Sequence, residues 1–81
     1  MKIRVFVSLR EGVLDPQGKA VGHALDSLGF KGLGDVRISR VIDIEAPQGT
    51  TEAEGLKLGE AMAKRLLANE VIEDYRVETS A

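Results

Sequence analysis

The stretch Gly12-Val13-Leu14-Asp15-Pro16-Gln17-Gly18 decides how the chain is organised, because it closes an alternating strand and opens the first helix. Asp15 can accept hydrogen bonds from the free N–H groups of a first helical turn, and its charge meets the positive end of the helix dipole. Pro16 falls at the first helical position, where a missing N–H costs nothing. Gly12 suits a chain leaving a strand sharply, and Val13 and Leu14 can tuck under the turn. Gln17 and Gly18 are not explained by capping. A glycine in a first turn is a poor helix former unless something packs closely against it.

Upstream, Ile3, Val5, Val7 and Leu9 alternate with Lys2, Arg4, Phe6, Ser8 and Arg10, the pattern of a half-buried strand with one aromatic on its wet side. Downstream, Ala20, Val21, Ala24, Leu25 and Leu28 follow helical spacing and Gly29 supplies the stop, with His23 on the polar face. Strand, Gly12, Gly18-Lys19 and helix together resemble a phosphate-binding P-loop, but the match fails. Five residues separate the glycines where that loop needs four, Ala20 replaces the magnesium-holding hydroxyl, Pro16 removes a cradle N–H, and Asp15 would face the phosphates.

Phe30 to Gly34 carries three glycines if Gly29 is added and reads as a loop returning to the sheet. A second strand is predicted from about Asp35 to Glu45, with Val36, Ile38, Ile42 and Ile44 on a face interrupted by Arg40. This middle strand is longer than a small core needs, so the pattern predicts that it extends past its own monomer to pair with another chain. Thr51 and Glu54 form a capping box for a second helix. Its apolar face is assigned to Leu56, Gly59, Met62, Ala63, Leu66 and Leu67, and Asn69 is expected to end it in the left-handed conformation. A last strand runs from Val71 to about Thr79, with Val71, Tyr75 and Val77 on one face. The order strand, helix, strand, helix, strand predicts an α+β, two-layer sandwich: a small sheet with both helices on one face, oligomerising through the sheet.

With 81 residues the chain is expected to be one domain, 1–81, with a marginal core that favours association with copies of itself. No cysteine is present, so there is neither a disulfide framework nor a thiolate nucleophile, and with a single histidine a zinc site is not expected. No apolar run approaches membrane-spanning length, and the N-terminus runs straight into a strand rather than a signal region, so a cytoplasmic protein is expected. A net charge of −2 with mixed signs argues against a polyanion as the main partner. Phe6 with Lys2, Arg4 and Arg10 could stack and hold a base, but one aromatic beside Asp43 and Glu45 makes a poor RNA surface, and self-association accounts for that face better. There is no carboxylate pair placed on one bond, no Ser/His/Asp elbow and no dinucleotide fingerprint, so a stand-alone enzyme has no residue set behind it.

The whole chain resembles the PurS family, the small subunit of bacterial phosphoribosylformylglycinamidine synthase. The resemblance is carried by Gly12 to Gly18 with Ala20-Val21, then Leu28-Gly29-Phe30 and Val36-Arg37. It continues through Leu66-Leu67-Ala68-Asn69 and Val71-Ile72-Glu73-Asp74-Tyr75. Ser39-Arg40 stands where the family commonly has glycine then lysine, which keeps the charge and loses the flexible residue. The resemblance implies a non-catalytic subunit, with no cofactor of its own, that joins a large synthetase subunit using ATP and magnesium to a glutaminase subunit. Formylglycinamide ribonucleotide, glutamine and ATP would then give the amidine, with ammonia passed between the two enzymes. A homodimer or homotetramer is implied, with no nucleic acid and no membrane. Position and motif single out Arg10, Asp15, Gln17, Gly18, Arg37 and Arg40 as partner-interface residues.

Overall fold

The computed structural model describes residues 1–80. Three strands, β1 (Lys2–Leu9), β2 (Ser39–Glu45) and β3 (Glu73–Ser80), form one antiparallel sheet in the order β2-β1-β3. Helix α1 (Pro16–Ser27) lies between β1 and β2, and α2 (Glu52–Met62) lies between β2 and β3. The strict alternation of β1 puts it at the centre, where it can be buried on one face and paired on both edges. Ile3, Val5 and Val7 are almost wholly buried. Cross-strand rows follow from the register: Ile44, Ile3 and Thr79; Ile42, Val5 and Val77; Arg40, Val7 and Tyr75.

Helix α2 covers these rows through its smallest residues. Gly55 and Gly59, one helical turn apart, lie against the sheet, and a Cβ at Gly59 would come within 2.4 Å of Val77 Cγ1 and 2.8 Å of Ile3 Cγ2. Thr51 and Glu54 form the expected capping box, each accepting from the other's backbone N–H. After Met62 the helix widens into one π-helical turn, Ala63–Leu67, closed by the Ala68 N–H donating to the Ala63 carbonyl. That turn buries Ala63 and Ala68 at the end of the core.

The helix face differs from the one predicted at Leu56 and Leu66. Leu56 is 40% exposed and Leu66 83%, while Gly55, Gly59, Met62, Ala63 and Leu67 face inward. The close approach to the sheet leaves room for a hydrogen but not for a leucine. Asn69 does not take the left-handed conformation, since no residue other than glycine has positive φ among the described residues. It turns the chain instead with its side chain, whose Oδ1 accepts from the Val71 N–H, and with its carbonyl, which accepts from Ile72 and Glu73. Val71 therefore sits in the turn, 82% exposed, and not on the strand with Tyr75 and Val77.

The middle strand is also shorter than predicted: β2 begins at Ser39, not Asp35. The β1–β2 ladder ends at the pair Ser8 and Ser39, so residues 35–38 have no strand of their own chain to pair with, and the Ile38 N–H donates to Asp15 instead. Helix α1 does not share the sheet face with α2 in the single chain. It packs against residues 32–37, with Gly18 and Gly22 turned toward Val36. The molecule is consequently drawn out, 50 × 27 × 15 Å, with a radius of gyration of 16.0 Å where a compact chain of this length has about 12 Å.

Candidate functional site

The sequence-predicted residues gather at the end of the sheet where α1 departs. Asp15 caps α1 as expected: its Oδ1 accepts from the Gly18 N–H at 2.8 Å, with Pro16 in the first turn. Its second oxygen has a partner the sequence did not announce, the Ile38 N–H at 2.7 Å. Asp15 is 7% exposed, and the two N–H donors, Ile38 first and Gly18 second, hold its carboxyl below the usual carboxylate range against the opposing effect of burial. Gly18 is explained by the same junction, because a Cβ there would lie 2.1 Å from the Val36 carbonyl oxygen. Only glycine lets the helix and the returning chain come this close. Gln17 is exposed on the first turn of α1.

The arginines are engaged within the chain. Arg37 donates from Nη1 to the Val13 carbonyl at 2.9 Å and from Nη2 to the Arg10 carbonyl at 3.1 Å, tying the return of the chain to the turn before α1. Arg10 donates to the carbonyls of Glu70 and Glu73 and pairs with Asp74 at 3.5 Å. Arg40, on the core side of β2, donates to the Leu67 carbonyl and to Glu73, whose carboxylate also accepts from the Asn69 N–H at 2.7 Å. Glu73 is thus the anchor of the α2–β3 turn. One partner, Asn69, is local to the turn, while the other, Arg40, arrives from β2.

Beside this junction lies an open cavity of about 460 Å³ between α1 and residues 32–37, bordered by Lys19, His23, Asp26, Phe30, Leu33 and Arg37. On the sheet face away from α2, Arg4 is clamped by Asp43 at 2.7 Å, which holds the Asp43 carboxyl below its ordinary value, and the Arg76 guanidinium lies 4.1 Å from the Phe6 ring centre while pairing with Glu78. Of the groups that an RNA strand would need, Arg4, Arg10 and Phe6 are already partnered. Among the described residues no cluster of His, Asp and Glu is placed to hold a metal ion, and no helix is long and apolar enough to cross a membrane. The junction joins backbone to side chain and places no base beside a nucleophile. Its chemistry is that of holding one segment against another.

The fold and the junction define a small α+β chain with a hydrogen-bonded junction and an outlying helix. The comparisons give the family: the model of the PurS family, "Phosphoribosylformylglycinamidine (FGAM) synthase", matches residues 2–81, and the chain belongs to it. The subunit PurS of phosphoribosylformylglycinamidine synthase from Bacillus subtilis is 46% identical over 95% of this chain and 89% of the relative. Its counterpart from Synechocystis is 44% identical over 96% of this chain and 77% of the relative. A solved structure of B. subtilis PurS superposes with a TM-score of 0.83 at 44% identity, covering 99% of this chain and 98% of that one.

Proposed function

We propose that the chain serves purine biosynthesis as the small, non-catalytic subunit of a phosphoribosylformylglycinamidine synthase. It joins a large synthetase subunit that uses ATP and magnesium to a glutaminase subunit, and works in the cytoplasm. The observation that carries this is membership of a family named for that subunit over residues 2–81, in a chain whose Asp15 and Arg37 are engaged in holding its own backbone. The subunit acts as a homo-oligomer. Support comes from the drawn-out shape and from Val21, Leu28, Phe30 and Leu33, all exposed on or near α1 with no sheet beneath them. Around the junction, exposed Gln17 and the outer surfaces of Arg10 and Arg40 border the surface offered to the partners, and Asp15, Gly18 and Arg37 hold it in shape.

The test is to mix the chain with the two candidate subunits and glutamine and to follow size by sedimentation. One complex containing all three supports the proposal. Three species that sediment as they do alone would overturn it.

A further inference from the structure

Residues 10–38 leave and rejoin the sheet at a single point, the Ser8 and Ser39 pair that ends the β1–β2 ladder. The segment they enclose is an arm carrying α1, and α1 lies on the arm's own returning chain rather than on the sheet. Its direction is set by four hydrogen bonds at its base: Asp15 to Ile38 and Gly18, and Arg37 to Val13 and Arg10. Three of these bonds, Ile38 N–H to Asp15 and Arg37 to Val13 and Arg10, join the outgoing stem to the returning stem, and the Gly18 N–H to Asp15 bond caps α1. We infer that Asp15 and Arg37 are positioning residues, a clasp that aims the α1 arm for assembly, and that they act through the arm's direction rather than by touching a partner.

The inference rests on the proposed assembly role but is separable from it. The two carbonyls that Arg37 binds on its own chain fix the guanidinium between the stems, and a stem with its clasp removed can pivot where the ladder stops. An arm that points correctly for about one-tenth of the time binds about tenfold more weakly, with every contact residue intact.

The chain has no cysteine, so single labels can be placed at Ala24→Cys on α1 and Lys57→Cys on α2, both at exposed positions. Spin-label distances are measured on doubly labelled full-length chain diluted with unlabelled chain, and assembly is measured by titration into the two candidate subunits. The wild-type background should give one narrow distance. Arg37→Ala should broaden it and weaken assembly together, with helix content by circular dichroism kept. Asp15→Asn, which keeps one acceptor where the carboxylate has two, should do the same to a smaller degree and serves if Arg37→Ala does not fold. Weakened assembly with an unchanged narrow distance would make these contact residues and overturn the inference while sparing the assembly role. A broadened distance with full assembly would also overturn it. Failure of the wild-type chain to bind either subunit would count against the proposed function, and the distances would still decide whether the clasp sets the arm.

Discussion

Replacing Gly59 by alanine tests how α2 is seated. The new Cβ would lie 2.4 Å from Val77 Cγ1 and 2.8 Å from Ile3 Cγ2, where ordinary carbon contacts are about 3.5 to 4.0 Å. Neither neighbour can yield cheaply: both atoms are branches at Cβ, and Ile3 is 1% exposed. The helix must therefore lift by about 1 Å along Gly55 and Ala63, a gap that forfeits a quarter to a half of each contact it opens. Overpacking of this kind costs about 1 to 3 kcal/mol, offset by about 1 kcal/mol gained from alanine's helix propensity. The net loss is about 1 kcal/mol, which lowers the melting temperature by roughly 4 to 8 °C in a domain of this size. Thermal denaturation followed by circular dichroism at one fixed protein concentration measures it. Gly22→Ala is the control, since its Cβ would meet Val36 Cγ2 at 3.4 Å and should leave stability level or raise it. A Gly59→Ala protein that melts at or above the parent would refute the seating of α2 on its glycines.

Gly18→Ala should be worse tolerated than Gly22→Ala, because the atom in its way is the Val36 backbone carbonyl; equal melting temperatures for the two would contradict the close approach of α1 to the returning chain. Asp15 has a folded pKa below its unfolded value, so its contribution is complete above the ordinary carboxylate range and is lost as pH falls through the folded value. Asp15→Asn should therefore flatten the part of the acid-unfolding curve below pH about 4, and a curve parallel to the parent's would show that the carboxylate is not held by Ile38 and Gly18. Sedimentation of the isolated chain at micromolar concentration should show an oligomer, and a monomer would remove the explanation offered for the elongated shape.

The parts of the fold that were legible in the sequence are those encoded locally. Asp15 and Pro16 begin α1, Thr51 and Glu54 begin α2, and the alternation of Ile3, Val5 and Val7 marks the central strand. Where the pattern misled, a distant partner had decided. The apolar spacing of residues 35–38 suits a strand, but the chain supplies no strand beside it and Asp15 takes the Ile38 N–H. Gly59, Met62, Ala63 and Leu67 face inward as expected, while Leu56 and Leu66, placed on the face for their size, point out and Gly55, which carries no hydropathic signal, takes a place on it. At the junction, the bonds that Asp15, Arg10, Arg37 and Arg40 make within the chain were not legible in the motif. Arg10, Arg37 and Arg40 look like free cations in the sequence because the carbonyls and the Glu73 carboxylate that receive them lie far along the chain.

In the proposed role this chain supplies assembly and not chemistry. The most direct test compares glutamine-dependent with ammonia-dependent turnover of the synthetase and glutaminase subunits, with and without the chain. Ammonia released into bulk water is diluted and protonated, whereas a bridged complex keeps it near the second site. Glutamine-dependent turnover should therefore require the chain, while the large subunit with free ammonia and ATP keeps activity in its absence. Equal loss of both rates on omitting the chain would contradict the claim and place the subunit in the shaping of the synthetase site itself.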